Sequence, residues 1–261
     1  IWGGQDEFAS YTILEMEERK GKTAAVQRAL KHIEASIETD LILMTDADAM
    51  LEADTVSNLM QWFSDPSIGC VGAAPKRVGQ RMEEEKHREM FSMVRNLESN
   101  IDSTPFLEGS CMMWRPSCLA INDLNAAANA DDAQIATSIR CRGWRSIADP
   151  QASFVDVAPT TLAGQRRQKL RRAQGLQRLL TRMRKRATNK RQGVFGRIFR
   201  RQHHFHIVAP LAMTVAALAA VLRWGFIALY GWPPTLTVAN SLHVSFTVLE
   251  AVCVGLWWRS R

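Results

Sequence analysis

From Lys22 to Ala148, short unbroken apolar runs alternate with apolar positions spaced three and four residues apart, which predicts strands interleaved with helices. Behind Gly21-Lys22-Thr23, Val26, Leu30 and Ile33 share one face of a helix running to about Ile37. Residues 41–45 form an apolar strand that ends at Asp46-Ala47-Asp48. Val56, Leu59, Met60 and Phe63 repeat as an amphipathic helix, stopped by Asp65-Pro66. The glycine-punctuated run 68–74 predicts a second inner strand. Met90, Val94, Leu97 and Ile101 mark a longer helix with a charged outer face. Residues 106–114 read as a strand interrupted by a close-approach turn. Asp131-Asp132 opens a helix carrying Ile135 and Ile139, Gly143 closes it at C′, and 144–148 is the next strand. This alternation predicts an α/β fold around a mostly parallel, doubly wound sheet.

After Pro159 the pattern changes. Gln165 to Arg186 is a basic helical segment, and a second basic stretch runs to Arg201. Two apolar segments, 205–222 and 236–258, are each near the ~20 residues needed to cross a bilayer, with Gly231-Trp232-Pro233-Pro234 as the turn between them. Residues 161–204 are thus expected as basic interfacial helices and 205–261 as a transmembrane helical hairpin. The arginine-rich approach and the closing Trp257-Trp258-Arg259-Ser260-Arg261 place positive charge at both outer ends, which puts them in the cytoplasm. A soluble hairpin buried in a large core is the alternative. Arg223 can snorkel to an interface, whereas Glu250 requires a partner on another helix.

A chain of 261 residues, 46% of them apolar, holds one α/β domain and something smaller. A formal charge of +7, gathered between Arg166 and Arg201, points to an acidic partner such as a nucleotide or phospholipid. The five cysteines show no Cys-x-x-Cys pair, which argues against a disulfide framework or a zinc site and fits a reducing compartment. The six histidines show no ligand spacing. The first residues read like the interior of a domain, so sequence upstream of Ile1 is expected.

Two carboxylates one residue apart at a strand end make an oxygen-rich site at a sheet edge, where open α/β sheets bind ligands. It suits Mg²⁺ or Mn²⁺ already bound to phosphate, because these ions keep few protein ligands. Aspartates also favour helix starts, so Asp46 and Asp48 have an alternative reading as the cap of a helix over 49–63. Gly21-Lys22-Thr23 looks like the tail of a P-loop, but Met16 stands where that motif requires glycine. Trp114 reads as core filler. Asp131 and Asp132 are also ordinary first-turn helix residues, favoured by the macrodipole.

Taken in order, Gly21-Lys22-Thr23-Ala24-Ala25, Asp46-Ala47-Asp48, Ser64-Asp65-Pro66-Ser67-Ile68-Gly69, Glu108-Gly109-Ser110-Cys111, Asp131-Asp132 and Gln165-Arg166-Arg167 resemble a family 2 inverting glycosyltransferase with the GT-A fold. The likeness covers about residues 18 to 180 and is nearest to the membrane-integrated cellulose and hyaluronan synthase branch. It implies a GT-A catalytic domain over 1–160 that lacks its opening strand. It implies Asp48 as metal ligand, with Asp46 supporting the metal or contacting the ribose. Asp132 would be the general base, supported by Asp131. Lys22 would contact nucleotide or phosphate, Gly109 and Ser110 would shape the acceptor floor, and Gln165, Arg166 and Arg167 would close over the diphosphate. Two departures stand out. Asp131-Asp132 replaces the expected Glu-Asp, and Gln165-Arg166-Arg167-Gln168-Lys169 lacks the tryptophan of Gln-x-x-Arg-Trp, which argues against processive synthesis.

The resulting expectation is a multi-pass membrane enzyme with a cytoplasmic catalytic domain. It would use Mg²⁺ or Mn²⁺ to move a hexose or N-acetylhexosamine from a nucleotide-sugar donor to a glycan or lipid-linked acceptor, with membrane lipids as a further partner. The rival is a catalytically silent, truncated scaffold or partner-binding module. Nucleic-acid binding ranks last, because no aromatics interleave with the arginines.

Overall fold

The computed structural model describes residues 11–78, 82–157, 161–230 and 237–258. The chain divides into two units, Ile1–Leu179 and Leu180–Arg261.

The first unit contains α1 (Lys22–Ser36), β1 (Ile42–Thr45), β2 (Met50–Leu51), α2 (Thr55–Gln61), β3 (Ile68–Val78), α3 (Met82–Ile101), β4 (Cys111–Trp114), α4 (Asp131–Cys141) and β5 (Arg145–Val157). It also holds most of α5 (Leu162–Ala187). The strands form one sheet in the order β1-β4-β3-β5-β2. The sheet is mixed, contrary to the mostly parallel arrangement expected. Among the described residues only β3 and β5 pair in parallel, while β1–β4, β4–β3 and β5–β2 are antiparallel. The reason lies between α3 and β4. Thr104 N bonds Ser146 O at the start of β5, and Asp46 N at the end of β1 bonds Ser110 O. The segment 104–110 therefore travels from the start of one strand to the end of another, so β4 enters the sheet from the far side and runs backwards.

Both faces of the sheet are covered, as its period-2 side-chain alternation requires. Cys70, Met112 and Trp114 pack with Leu30 of α1 and Ile135 and Ile139 of α4. Val71, Cys111 and Met113 pack with Leu59 of α2, Phe63 and Phe154. Trp114, 1% exposed, is core filler as expected. Helix α4 ends as the sequence indicates, with Gly143 at φ +110° donating its N–H to Arg140 O.

Two helices depart from expectation. The helix read over 49–63 starts only at Thr55, behind Asp54, because Met50 and Leu51 pair with β5. Asp46 and Asp48 therefore do not cap it. Helix α3 turns its apolar stripe outward, leaving Met93 63% and Ile101 68% exposed. Polar groups hold its inner face instead. Ser99 Oγ accepts from Ala148 N, Thr104 Oγ1 donates to Glu98, and Arg145 donates to the carbonyls of Ser99 and Asp102.

The second unit contains the end of α5, α6 (Gly193–His203), α7 (Ala209–Tyr230) and α8 (Thr237–Trp258). Leu180, Met183 and Ala187 are buried, as are Phe195, Ile198 and Phe199 of α6. Helices α7 and α8 pack together, joined by an Arg223–Glu250 ion pair of 2.8 Å and by Phe226 against Phe246. Among the described residues, the one helix long and apolar enough to cross a membrane is the continuous run Lys190–Leu229, with mean hydropathy 2.1 in its apolar window. Helix α8 is 22 residues long, and its described apolar stretch is Val244–Gly255. The turn expected at Gly231-Trp232-Pro233-Pro234 and the closing Arg259 and Arg261 lie outside the described residues.

Candidate active site

The end of β1 meets the segment entering β4. Thr45 Oγ1 donates to Ser110 O at 3.0 Å, and Ser110 Oγ donates to Asp46 Oδ2 at 2.9 Å. The other Asp46 oxygen lies 2.6 Å from Lys22 Nζ, at the first position of α1. Lys22 also donates to Gly109 O at 3.1 Å and lies 3.4 Å from Asp131 Oδ2 at the start of α4. That contact lacks hydrogen-bond geometry, so Asp131 Oδ2 is buried with charge compensation but no donor aimed at it. Asp132 sits beside it, its Oδ1 accepting from Ala133 N at 2.7 Å. A methyl group at Gly109 would lie 3.1 Å from Asp132 Cβ and 3.3 Å from its Oδ2. Glycine here lets the β4 entry pass close to this carboxylate, which would have to give way by a few tenths of an ångström to any side chain.

The electrostatics follow from this packing. Burial works to lower the Lys22 pKa, but Asp131, Asp46 and Asp132 outweigh it and hold it above the ordinary lysine value. Burial, then the neighbouring Asp131 and Glu108, push the Asp132 carboxyl up to about 7, against the opposing Ala133 N–H and Lys22. A carboxyl poised there exchanges its proton near neutrality, which suits a general base.

Lys22, Asp46, Gly109, Ser110, Asp131 and Asp132 thus share one cleft. Asp48 stands exposed on the adjoining turn, and none of the described hydrogen bonds or ion pairs engages it. Gln165 is half-buried, whereas Arg166 and Arg167 are exposed along a shallow depression on α5 that Leu170, Arg171 and Gln174 continue. No described contact brings these arginines to the carboxylates. Helix α5 reaches the cleft's border further along, where Gly175 packs on Asn129 and Ala130.

Sequence reasoning assigned no role to Glu108, which faces Asp132 and is held by Arg95 at 2.7 Å. Its place in the Glu108-Gly109-Ser110 run was the available signal. It also missed Thr23 and Gln134, which secure the loop before Asp131. Thr23 Oγ1 bonds Ala128 O at 2.7 Å, and Gln134 Nε2 bonds Ala128 O and Asn129 O.

A divalent cation fits the chemistry of this donor set. Asp46 and Asp48 stand one residue apart just past the end of β1, and none of the described hydrogen bonds or ion pairs engages Asp48. Among the described residues no three His, Cys, Asp or Glu side chains gather as a metal cluster.

The model of the family described as "Glycosyltransferase like family 2" matches residues 11–175, more than half of the chain. The chain belongs to this family. Among solved structures, this family 2 glycosyltransferase resembles a mannosyltransferase from Pyrobaculum calidifontis in complex with GDP-Man and Mn²⁺. The two are 26% identical with a TM-score of 0.65, over 92% of this chain and 69% of that one. Poly-beta-1,6-N-acetyl-D-glucosamine synthase of Staphylococcus aureus strain COL is 21% identical over 172 residues, 63% of this chain. The synthase of strain N315 matches equally. The matched region spans 41% of those synthases. The mixed sheet with flanking helices fits the GT-A fold expected from the motifs.

Proposed function

We propose that this chain transfers a hexose or N-acetylhexosamine, with inversion, from a nucleotide-diphosphate sugar to a glycan or lipid-linked hydroxyl. One observation carries the reading: Lys22 ties Asp46, at the strand end where the donor diphosphate would lie, to the Asp131-Asp132 pair that would serve the acceptor. Donor and acceptor chemistry thereby share one cleft, as in-line attack requires. Support for the donor class comes from the neighbour solved with GDP-Man and from the relative named for N-acetylglucosamine.

Asp132 takes the proton of the attacking hydroxyl as the new glycosidic bond forms. Asp131 keeps Lys22 charged and raises the basicity of its neighbour. Asp48, with Asp46 beside it, would hold Mg²⁺ or Mn²⁺, which offsets charge on the departing diphosphate. Gln165, Arg166 and Arg167 approach that diphosphate from α5 when donor is bound, adding guanidinium groups to the same charge. Ser110 fixes the orientation of Asp46, and Gly109 keeps the floor beside Asp132 low.

The apolar run within Lys190–Leu229 enters the bilayer, and the basic surface from Arg171 to Arg201 lies on anionic headgroups, with the catalytic unit on the cytoplasmic side. Membranes holding the full-length protein, given GDP-mannose or UDP-N-acetylglucosamine, should release nucleoside diphosphate only with Mn²⁺ or Mg²⁺. Release from neither donor, together with no metal-dependent binding of GDP or UDP by calorimetry, would favour a silent scaffold.

A further inference from the structure

Ala130, immediately before Asp131, sits at φ +65° and ψ +54°. It is the one non-glycine residue at positive φ among the described residues. This left-handed conformation is unfavourable for a residue with a Cβ, so surrounding contacts must impose it. Three elements supply those contacts. Helix α1 holds Ala128 O through Thr23 Oγ1 at 2.7 Å. Helix α4 holds Ala128 O and Asn129 O through Gln134 Nε2 at 3.2 and 3.3 Å. Helix α5 closes the third side at Gly175, where a Cβ would lie 3.2 Å from the Cβ atoms of both Ala130 and Asn129 and 3.4 Å from Ala130 N. Such separations fall short of the roughly 3.5–4.0 Å at which carbons pack without strain.

We propose that Gly175 is a positioning residue: its missing side chain lets α5 press Ala130 into the left-handed turn that aims Asp132 at the acceptor. A methyl at residue 175 must displace Asn129 and Ala130. The loop cannot yield backwards, because Ala128 and Asn129 are tied at their carbonyls. The displacement passes forward into the first turn of α4, whose leading residues are Asp131 and Asp132. Asp132 is faced there by Asp131 on its own helix, Glu108 from the β4 entry and Lys22 from α1, so a small shift changes its proton affinity as well as its aim. A glycine inside a long basic helix, costly to the helix itself, has its explanation in this contact.

The inference rests on Asp132 as general base. Its test is a swap in the full-length protein in membranes, assayed by Mn²⁺-dependent nucleoside diphosphate release from whichever of GDP-mannose and UDP-N-acetylglucosamine is turned over. Gly175→Ala should lower kcat by about tenfold, leave donor KM within twofold and displace the acid limb of the pH–kcat profile. Adding Ala130→Gly removes one of the two opposing Cβ atoms and suits the left-handed backbone, so the double variant should regain a clear part of the lost kcat and move the pH profile back toward wild type. Wild-type kcat in Gly175→Ala, or a loss that Ala130→Gly does not relieve even in part, overturns the proposal. Should Gly175→Ala alone not fold, the double variant decides, by regaining turnover or by folding without it. Asp132→Asn run in parallel separates the two readings. Full turnover there removes the base assignment itself, whereas an inactive Asp132→Asn with a flat swap series removes only the role of Gly175.

Discussion

Lys22 Nζ stands 2.6 Å from Asp46 Oδ1 and 3.4 Å from Asp131 Oδ2, so one ammonium group spans the carboxylates at the ends of β1 and the start of α4. Replacing it leaves those carboxylates facing each other without compensation. Lys22→Met should lower kcat/KM by roughly tenfold or more and weaken donor binding. Because the lost cation favoured ionisation of Asp132, the acid limb of the pH–rate profile should move to higher pH. An unmoved limb would disconnect Lys22 from Asp132.

In the unaltered protein, kcat/KM should rise through about pH 7 as Asp132 ionises. Stability should respond in the opposite sense. Burial raises the folded-state pKa from 3.8 to about 7, so the folded chain binds the proton more tightly than the unfolded one. The stability tied to that proton is full below the unfolded value and is lost as pH rises through about 7. Asp132→Asn should therefore abolish transfer yet stabilise the chain at pH 8, by on the order of 1 kcal/mol or more, with little gain at pH 4. Thermal melts at the two pH values check this.

Asp48 is exposed, and no described hydrogen bond or ion pair engages it. Asp48→Asn should leave stability within about ±0.5 kcal/mol. It should raise the Mn²⁺ concentration needed for half-maximal nucleoside diphosphate release by roughly tenfold or more. Chelation with EDTA should stop release in the unaltered protein, and added Mn²⁺ should restore it.

Arg223 and Glu250 join two apolar helices at 2.8 Å. Arg223→Leu strands a carboxylate whose Oε1 already lacks a donor, and should destabilise the α7–α8 pair by about 3–5 kcal/mol. Arg223→Leu with Glu250→Leu should recover most of that loss. Protease resistance or thermal aggregation in membranes reads both variants.

Local order in the first unit was legible wherever one side-chain rhythm decided it. Strand β1, helix α4 with its Gly143 stop and the burial of Trp114 follow directly from apolar spacing and cap chemistry. Strand direction was not legible, because an apolar run carries no sign. The reversal of β4 depends on the extended path of 104–110, which has no pattern of its own. Helix α3 shows a second limit. Its apolar stripe is plain in the sequence, yet Ser99, Glu98 and Arg145 win the sheet-facing side through hydrogen bonds that periodicity does not register. In the cleft, Lys22, Asp46 and Asp132 were separately visible as chemistry-bearing residues. Their adjacency depends on β4 returning between β1 and β3, and Ala130 carries no mark of its left-handed backbone. The glycine at 175, in the middle of α5, was the available hint.

Single-turnover transfer from radiolabelled donor with Mn²⁺, measured for the unaltered protein and for Asp132→Asn alongside donor binding, tests the central claim most directly. The account predicts labelled glycoside from the former, none from the latter, and equal donor affinity in both. Equal product from the two proteins, or product formed without any divalent cation, would contradict it.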